Sequence, residues 1–186
     1  MGEPIDLNTH QFFKDFISSH FMFSVLNHVQ NQFLTGNTKT GVETVSLYNK
    51  LMRYSISVSD KNMVSLDKEI EFVQLYLKAE DIRFDTKHAF EFTLINTAFE
   101  IPSFVFQGIT ELAVKAMQAK EKEHLSIIIE SNGIVINGHA DKNILPAQYL
   151  KKWDNIIERI NLFNDENCFK SVLTWHPNGT INWNMN

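Results

Sequence analysis

Few residues in this chain have types and spacings that could do chemistry. His20 lies in a Gly- and Pro-free stretch beside Phe21 and Phe23, and an imidazole is a nucleophile near neutral pH. A lone histidine on a helix is usually a surface residue or a satisfied core residue, so its neighbours must decide its role. Glu111 and Lys115 stand four apart, a spacing that an exposed helical ion pair accounts for unaided. Arg53 suits a salt bridge across two helices, and Asp141 lies in the polar run Gly138-His139-Ala140-Asp141-Lys142-Asn143. Cys168 is the single cysteine. It excludes an internal disulfide framework and reads as a buried thiol rather than a nucleophile. The other histidines form no i, i+4 pair and have no ligand-type acid cluster nearby, so no metal is expected.

The elements that position these residues follow from periodicity. Phe12, Phe16, Phe23, Leu26 and Phe33 recur at helical steps from about Asn8 to Phe33, and Leu34-Thr35-Gly36-Asn37 is a C-cap signal. A second amphipathic segment follows with Val45, Leu47, Leu51, Met52 and Ile56. Two adjacent helices with a short join make a hairpin whose apolar stripe needs a cover, most economically a second copy in a four-helix bundle. Ser65-Leu66-Asp67-Lys68-Glu69 opens a third helix, to about Arg83. Beyond His88 the period changes. A strand with Phe90, Phe92 and Leu94 precedes a helix from Phe104 to about Ala119; Ser131-Asn132-Gly133 then turns a hairpin, and a helix from Ala147 to Phe163 leads to strands around Val172 and Ile181. The expected fold is α+β, with a dimerisation hairpin over residues 1–62 and an α/β sandwich of three or four strands under two helices over 63–186. Trp153, Trp175 and Trp183 fall at core or interface positions.

Composition bounds the function. The chain has 186 residues, 44% apolar and 21% charged, with fifteen Phe, which is a globular composition able to bury a real core. Net charge is -5 and the basic residues are scattered, so nucleic acid is not an expected partner. No apolar run approaches a bilayer span, and Met1-Gly2-Glu3-Pro4 lacks the marks of a signal peptide. The expectation is a cytoplasmic chain that makes no membrane contact itself.

His20-Phe21-Met22-Phe23-Ser24-Val25-Leu26-Asn27-His28-Val29 resembles the phosphoacceptor motif of the LytS-type histidine kinases, Pro-His-Phe-Leu-Phe-Asn-x-Leu-Asn-x-Ile. Ser19 replaces the proline and Ser24 the first asparagine. The likeness continues through Leu51-Met52-Arg53-Tyr54-Ser55, Leu66 to Val73, Tyr76-Leu77, Glu80 and Arg83-Phe84. The run from Ile101 to Lys115 is similar to that family's N box, Ile-Pro-Pro-x-x-x-Gln-Pro-Leu-Val-Glu-Asn-Ala-x-Lys-His. Asn155 to Ile160 resembles the helix after the ATP lid, and Gly179-Thr180 the Gly-Thr before the last strand. About nine-tenths of the chain is covered.

The resemblance implies that His20 is a phosphoacceptor, that Arg53 orients a phosphate, and that Glu111, Lys115 and Asp141 are remnants of an ATP pocket in a domain like the histidine-kinase ATP-binding domain. The departures fall on that pocket. Leu112 stands where the family has the asparagine that helps hold magnesium, and it offers no oxygen to a hard cation. No glycine follows Asp141 as in Asp-Asn-Gly-x-Gly, and Tyr149-Leu150-Lys151-Lys152-Trp153 replaces the lid's Gly-Leu-Gly-Leu, so amides cannot crowd a triphosphate. The leading expectation is phosphotransfer between His20 and a response regulator of the LytTR type, with no cofactor and with a homodimer formed through the hairpin. The alternatives are a non-catalytic pseudokinase that docks a kinase or regulator, and an ATP- and magnesium-dependent kinase with an altered pocket.

Overall fold

The computed structural model describes residues 19–84, 89–95, 99–130, 132–139, 141–167 and 170–185, with the side chains of 19–22, 83, 84, 166 and 167 left out. The chain forms two compact units, Met1–Asn62 with Ile70–Thr86, and Met63–Glu69 with Lys87–Asn186.

The first unit is helical. Helix α1 spans Ser19–Leu34 and α2 spans Thr38–Val58; the earlier part of the expected first helix lies outside the described residues. Gly36 adopts φ 79°, the left-handed conformation that ends a helix without a Cβ penalty. The backbone N–H of Asn37 donates to the Gln32 carbonyl at 2.8 Å and that of Gly36 to Phe33 at 3.2 Å, the paired closure of a Schellman turn. Gly41 then lets α2 pass close to α1, since a Cβ there would sit 3.2 Å from the Phe33 ring. Helix α3 spans Leu66–Phe84. From Ile70 onward it contributes Phe72, Val73, Tyr76 and Leu77 to the core of this unit, with Phe72 stacked on Tyr54 at a 4.2 Å centroid distance. Leu51, Val58 and Ser55 of α2 are buried with them, whereas Phe23, Leu26, Leu34, Val42 and Ile56 are exposed.

The second unit contains a five-stranded sheet, one or two strands more than the sequence suggests. Strands β1 (Met63–Ser65) and β3 (Glu100–Pro102) form a separate antiparallel pair. They are too short for periodicity to reveal. Ser65, expected as the N-cap of the third helix, ends β1 and directly precedes the first residue of α3. The main sheet comprises β2 (Ala89–Leu94), β4 (His124–Glu130), β5 (Gly133–Asn137), β6 (Ser171–Trp175) and β7 (Thr180–Met185), in the order β2-β4-β5-β7-β6. Only β2 and β4 run parallel, because helix α4 (Val105–Ala119) lies between them in the chain and a crossover is needed to bring the second strand back in the same direction.

Alternation decides which face is covered. Leu125, Ile127 and Ile129 of β4, Ile134 and Ile136 of β5, and Ile181 and Trp183 of β7 are buried, while their sequence neighbours, apart from the buried Gly133, are at least partly exposed. Helix α4 is buried nearly all round, as befits a helix in the centre of its unit. Helix α5 (Ala147–Asn167) buries Trp153, Ile156, Ile160 and Phe163. A Cβ at Gly133 would collide with the Trp183 carbonyl oxygen, so the β4–β5 turn depends on that glycine.

Replacing Gly36 by Ala places a Cβ on a left-handed residue in open space. The expected loss is about 1 kcal/mol of stability in urea unfolding, with an unchanged denaturant slope.

Candidate functional site

His20 lies near the start of the described part of α1, and its side chain is outside the described residues. Arg53 is an exposed residue of α2. Each stands roughly sixteen residues from the Gly36 turn, and helices of equal rise reach the same height at equal residue distance. The antiparallel hairpin therefore carries His20 and Arg53 to its same end.

The second cluster is built on two helices of the other unit. Glu111 sits on α4, and its Oε2 accepts from Lys152 Nζ of α5 at 2.7 Å and from Gln107 Nε2 at 3.0 Å. The Lys152 and Glu111 side chains are only 13% and 18% exposed. Burial pushes the Glu111 carboxyl up, but the Lys152 charge and hydrogen bond, the Gln107 hydrogen bond and the Lys115 charge outweigh it and hold the group below its ordinary 4.5. One turn away, a Cβ at Gly108 would meet Ile156 Cδ1 at 3.0 Å, so α4 and α5 approach closely there. Farther along, Arg159 of α5 donates to Ser103 Oγ at 3.0 Å. Burial draws its guanidinium down to about 10 against the opposing charge of Glu69, and it stays a cation at neutral pH. Glu69 in turn accepts from the Phe104 backbone N–H at 2.9 Å. That bond holds Phe104 at φ 63°, an uncommon conformation for a residue with a bulky side chain.

Lys152, Ile156 and Arg159 thus descend one face of α5 at helical spacing and meet Glu111, Gly108 and Ser103 in turn. Lys115 donates to Gln118 Oε1 at 3.4 Å. Leu112 has no exposed surface. Asp141 accepts from the Asn143 backbone N–H at 3.0 Å and caps the 3-10 turn Lys142–Ile144, within the connection Gly138–Pro146 that joins β5 to α5. Of the three residues expected in a nucleotide pocket, Glu111 and Lys115 share a face of α4, and Asp141 is engaged in its own turn. The sequence reading missed Lys152 and Gln107. Their signal was available in the i, i+4, i+7 spacing of Lys152, Ile156 and Arg159, but which helix that face meets is not written in the spacing.

Among the described residues, no group of three or more His, Cys, Asp or Glu could hold a metal ion, and no helix is long and apolar enough to cross a membrane.

Residues 9–88, which include His20 and Arg53, match the histidine kinase family. Sensor protein LytS of Staphylococcus saprophyticus is 23% identical over 142 residues, covering 73% of this chain and 24% of the relative. Sensor protein LytS of Streptococcus mutans is 26% identical over 120 residues, covering 63% and 20%. The chain is thus similar to the LytS sensor proteins, and its residues 9–88 carry the likeness to the histidine kinase family. The matches span about a quarter of the LytS protein from Staphylococcus saprophyticus and a fifth of that from Streptococcus mutans. Among solved structures, a bacterial phosphotransferase aligns with a TM-score of 0.47 at 12% identity, covering 100% of this chain and 98% of its own. The Acinetobacter baumannii histidine kinase AdeS aligns with a TM-score of 0.41 at 12% identity, covering 92% and 95%.

Because the Glu111 carboxyl is held below 4.5, its contribution to stability is complete above that value and is lost as acid titrates the folded protein. Glu111→Gln should therefore flatten the acid limb of a stability–pH profile. An unchanged slope below pH 4.5 would show that the pair contributes nothing.

Proposed function

We propose that this chain acts in two-component signalling as a phosphotransfer module, with His20 exchanging a phosphoryl group with an aspartate of a response regulator. In the forward step a neutral imidazole nitrogen attacks the phosphorus of the aspartyl phosphate. The P–N bond forms, the P–O bond to the carboxylate breaks, and the aspartate leaves with the electron pair. Arg53, at the same end of the hairpin, balances charge on the transferred group. The match of residues 9–88 to the histidine kinase family supports the role of His20.

The observation that carries the choice of phosphotransfer over ATP-dependent autophosphorylation is Lys152 on Glu111 at 2.7 Å. The acid that the resemblance places beside a magnesium nucleotide already has a cation, and α5 packs on α4 at Gly108. Leu112 adds no oxygen ligand. The residues present do not fit magnesium-ATP, and the module we propose uses no cofactor.

A docking role without chemistry is the second reading. It is favoured by the exposed Phe23, Leu26, Leu34, Val42 and Ile56, a larger apolar display than a solitary surface residue. In either reading the hairpin pairs with a second copy, the regulator is of the LytTR type, and the chain works in the cytoplasm.

Two measurements test this. Incubation with a phosphorylated regulator should label the wild type and leave His20→Gln unlabelled; equal labelling of both would sink phosphotransfer, and regulator binding that survives in His20→Ala without any labelling would favour docking. Titration calorimetry with millimolar magnesium-ATP should show no heat of binding for the wild type. Leu112→Asn, which buries an amide in a fully enclosed site, should cost about 3–5 kcal/mol of stability without creating nucleotide affinity; saturable binding by either protein would restore the kinase reading.

A further inference from the structure

The contact between α4 and α5 is unusual in being closed at both ends by cations from the same helix. Lys152 reaches Glu111 and Gln107 at one end, Arg159 reaches Ser103 beside Glu69 at the other, and Ile156 fills the gap left by Gly108 between them. Arg159 is 3% exposed and Glu69 0%. A carboxylate held this deep is costly unless a cation and hydrogen bonds accompany it. A site that takes its cation from solution would leave the carboxylate facing a cleft. Here the four-carbon stem of Lys152 lies against Gly108, with its Cε 3.8 Å from where a Cβ would be, and the ammonium group completes the shell of Glu111 from within the protein.

We infer that Lys152 is a built-in counterion that latches α5 onto α4, so that this unit holds its closed form with no metal or nucleotide bound. The inference rests on the reading that the unit has given up ATP chemistry, and it assigns the residue that replaces the ligand. Glu111 and Gln107 form a receptor for a primary ammonium group, and Lys152 supplies that group in cis. Its stem carries the charge along the apolar seam, as long basic side chains do, and the hydrogen bond to Gln107 fixes the carboxylate rotamer that receives it.

The test is thermal unfolding of the full chain. Lys152→Met keeps the stem and removes the charge, and it should lower Tm by about 5–10 °C. Lys152→Arg should retain most of the wild-type value. The double variant Glu111→Gln with Lys152→Met should regain a large part of the loss, because no charge is then left buried alone. Ethylammonium chloride should raise the Tm of Lys152→Ala, where sodium chloride at equal ionic strength does not. Millimolar magnesium-ATP or manganese chloride should leave the wild-type Tm unmoved. The latch is overturned if Lys152→Met melts with the wild type, if the double variant is no better than the single, or if metal or nucleotide stabilises the wild type. Should Lys152→Met fail to fold, a folded double variant sustains the inference and an unfolded one overturns it. The labelling of His20 is read separately, so an unlabelled His20 with an intact latch would sink phosphotransfer alone.

Discussion

A carboxylate in a low-dielectric interior must have a partner, and in the second unit that requirement is met twice along one seam. Glu111 and Glu69 are both withdrawn from water, and both face cations carried by α5. Removing either cation would take the nearest counterion from a largely enclosed carboxylate, which costs more than an exposed pair contributes. This constraint fixes the rotation of α5 about its own axis, because only one face carries Lys152, Ile156 and Arg159 in line. It also fixes its height along α4, because only Gly108 admits Ile156 at that distance. The sheet beneath then receives Trp153, Ile160 and Phe163 as one apolar face. The T-shaped contact of Trp153 with Trp175 at 5.3 Å joins α5 to strand β6.

A fold hosts a function only where the site's groups are free to act. Glu111 is engaged by an internal lysine and glutamine. The strain held at Phe104 also has an architectural support, since the Glu69 carboxylate that accepts its N–H is the one whose charge sustains Arg159. Strained backbone often accompanies function; here it marks the point where β3 turns into α4 under the hold of a buried acid.

The helical unit follows a different logic. Its interior is apolar and stacked, with Leu51, Phe72, Val73 and Leu77 fully enclosed. Its outward residues include aromatic and branched side chains that a solvated helix would not ordinarily retain. The Schellman closure at Gly36 gives the hairpin a sharp reversal, which is why residues far apart in sequence, His20 and Arg53, reach one height.

Much of this was legible in the sequence. The glycine at 36, the Phe spacing of the first helix, the change of period after His88 and the Ser131-Asn132-Gly133 turn all encode local structure through backbone preference and side-chain alternation, which act over a few residues. The residues around His20 and the oxygen-free side chain of Leu112 are matters of residue type, read directly off the chain. The three-residue strands β1 and β3 were not, because pairing between positions nearly forty residues apart leaves no periodic trace. Nor was the role of Lys152. Sequence alone offered Glu111 and Lys115 as a local i, i+4 pair, and only the folded chain decided that the partner of Glu111 comes from forty-one residues away. Local propensity sets which helices exist and which face is apolar. The choice of the opposing helix is a tertiary decision, made where burial forces each charge to find its counterion.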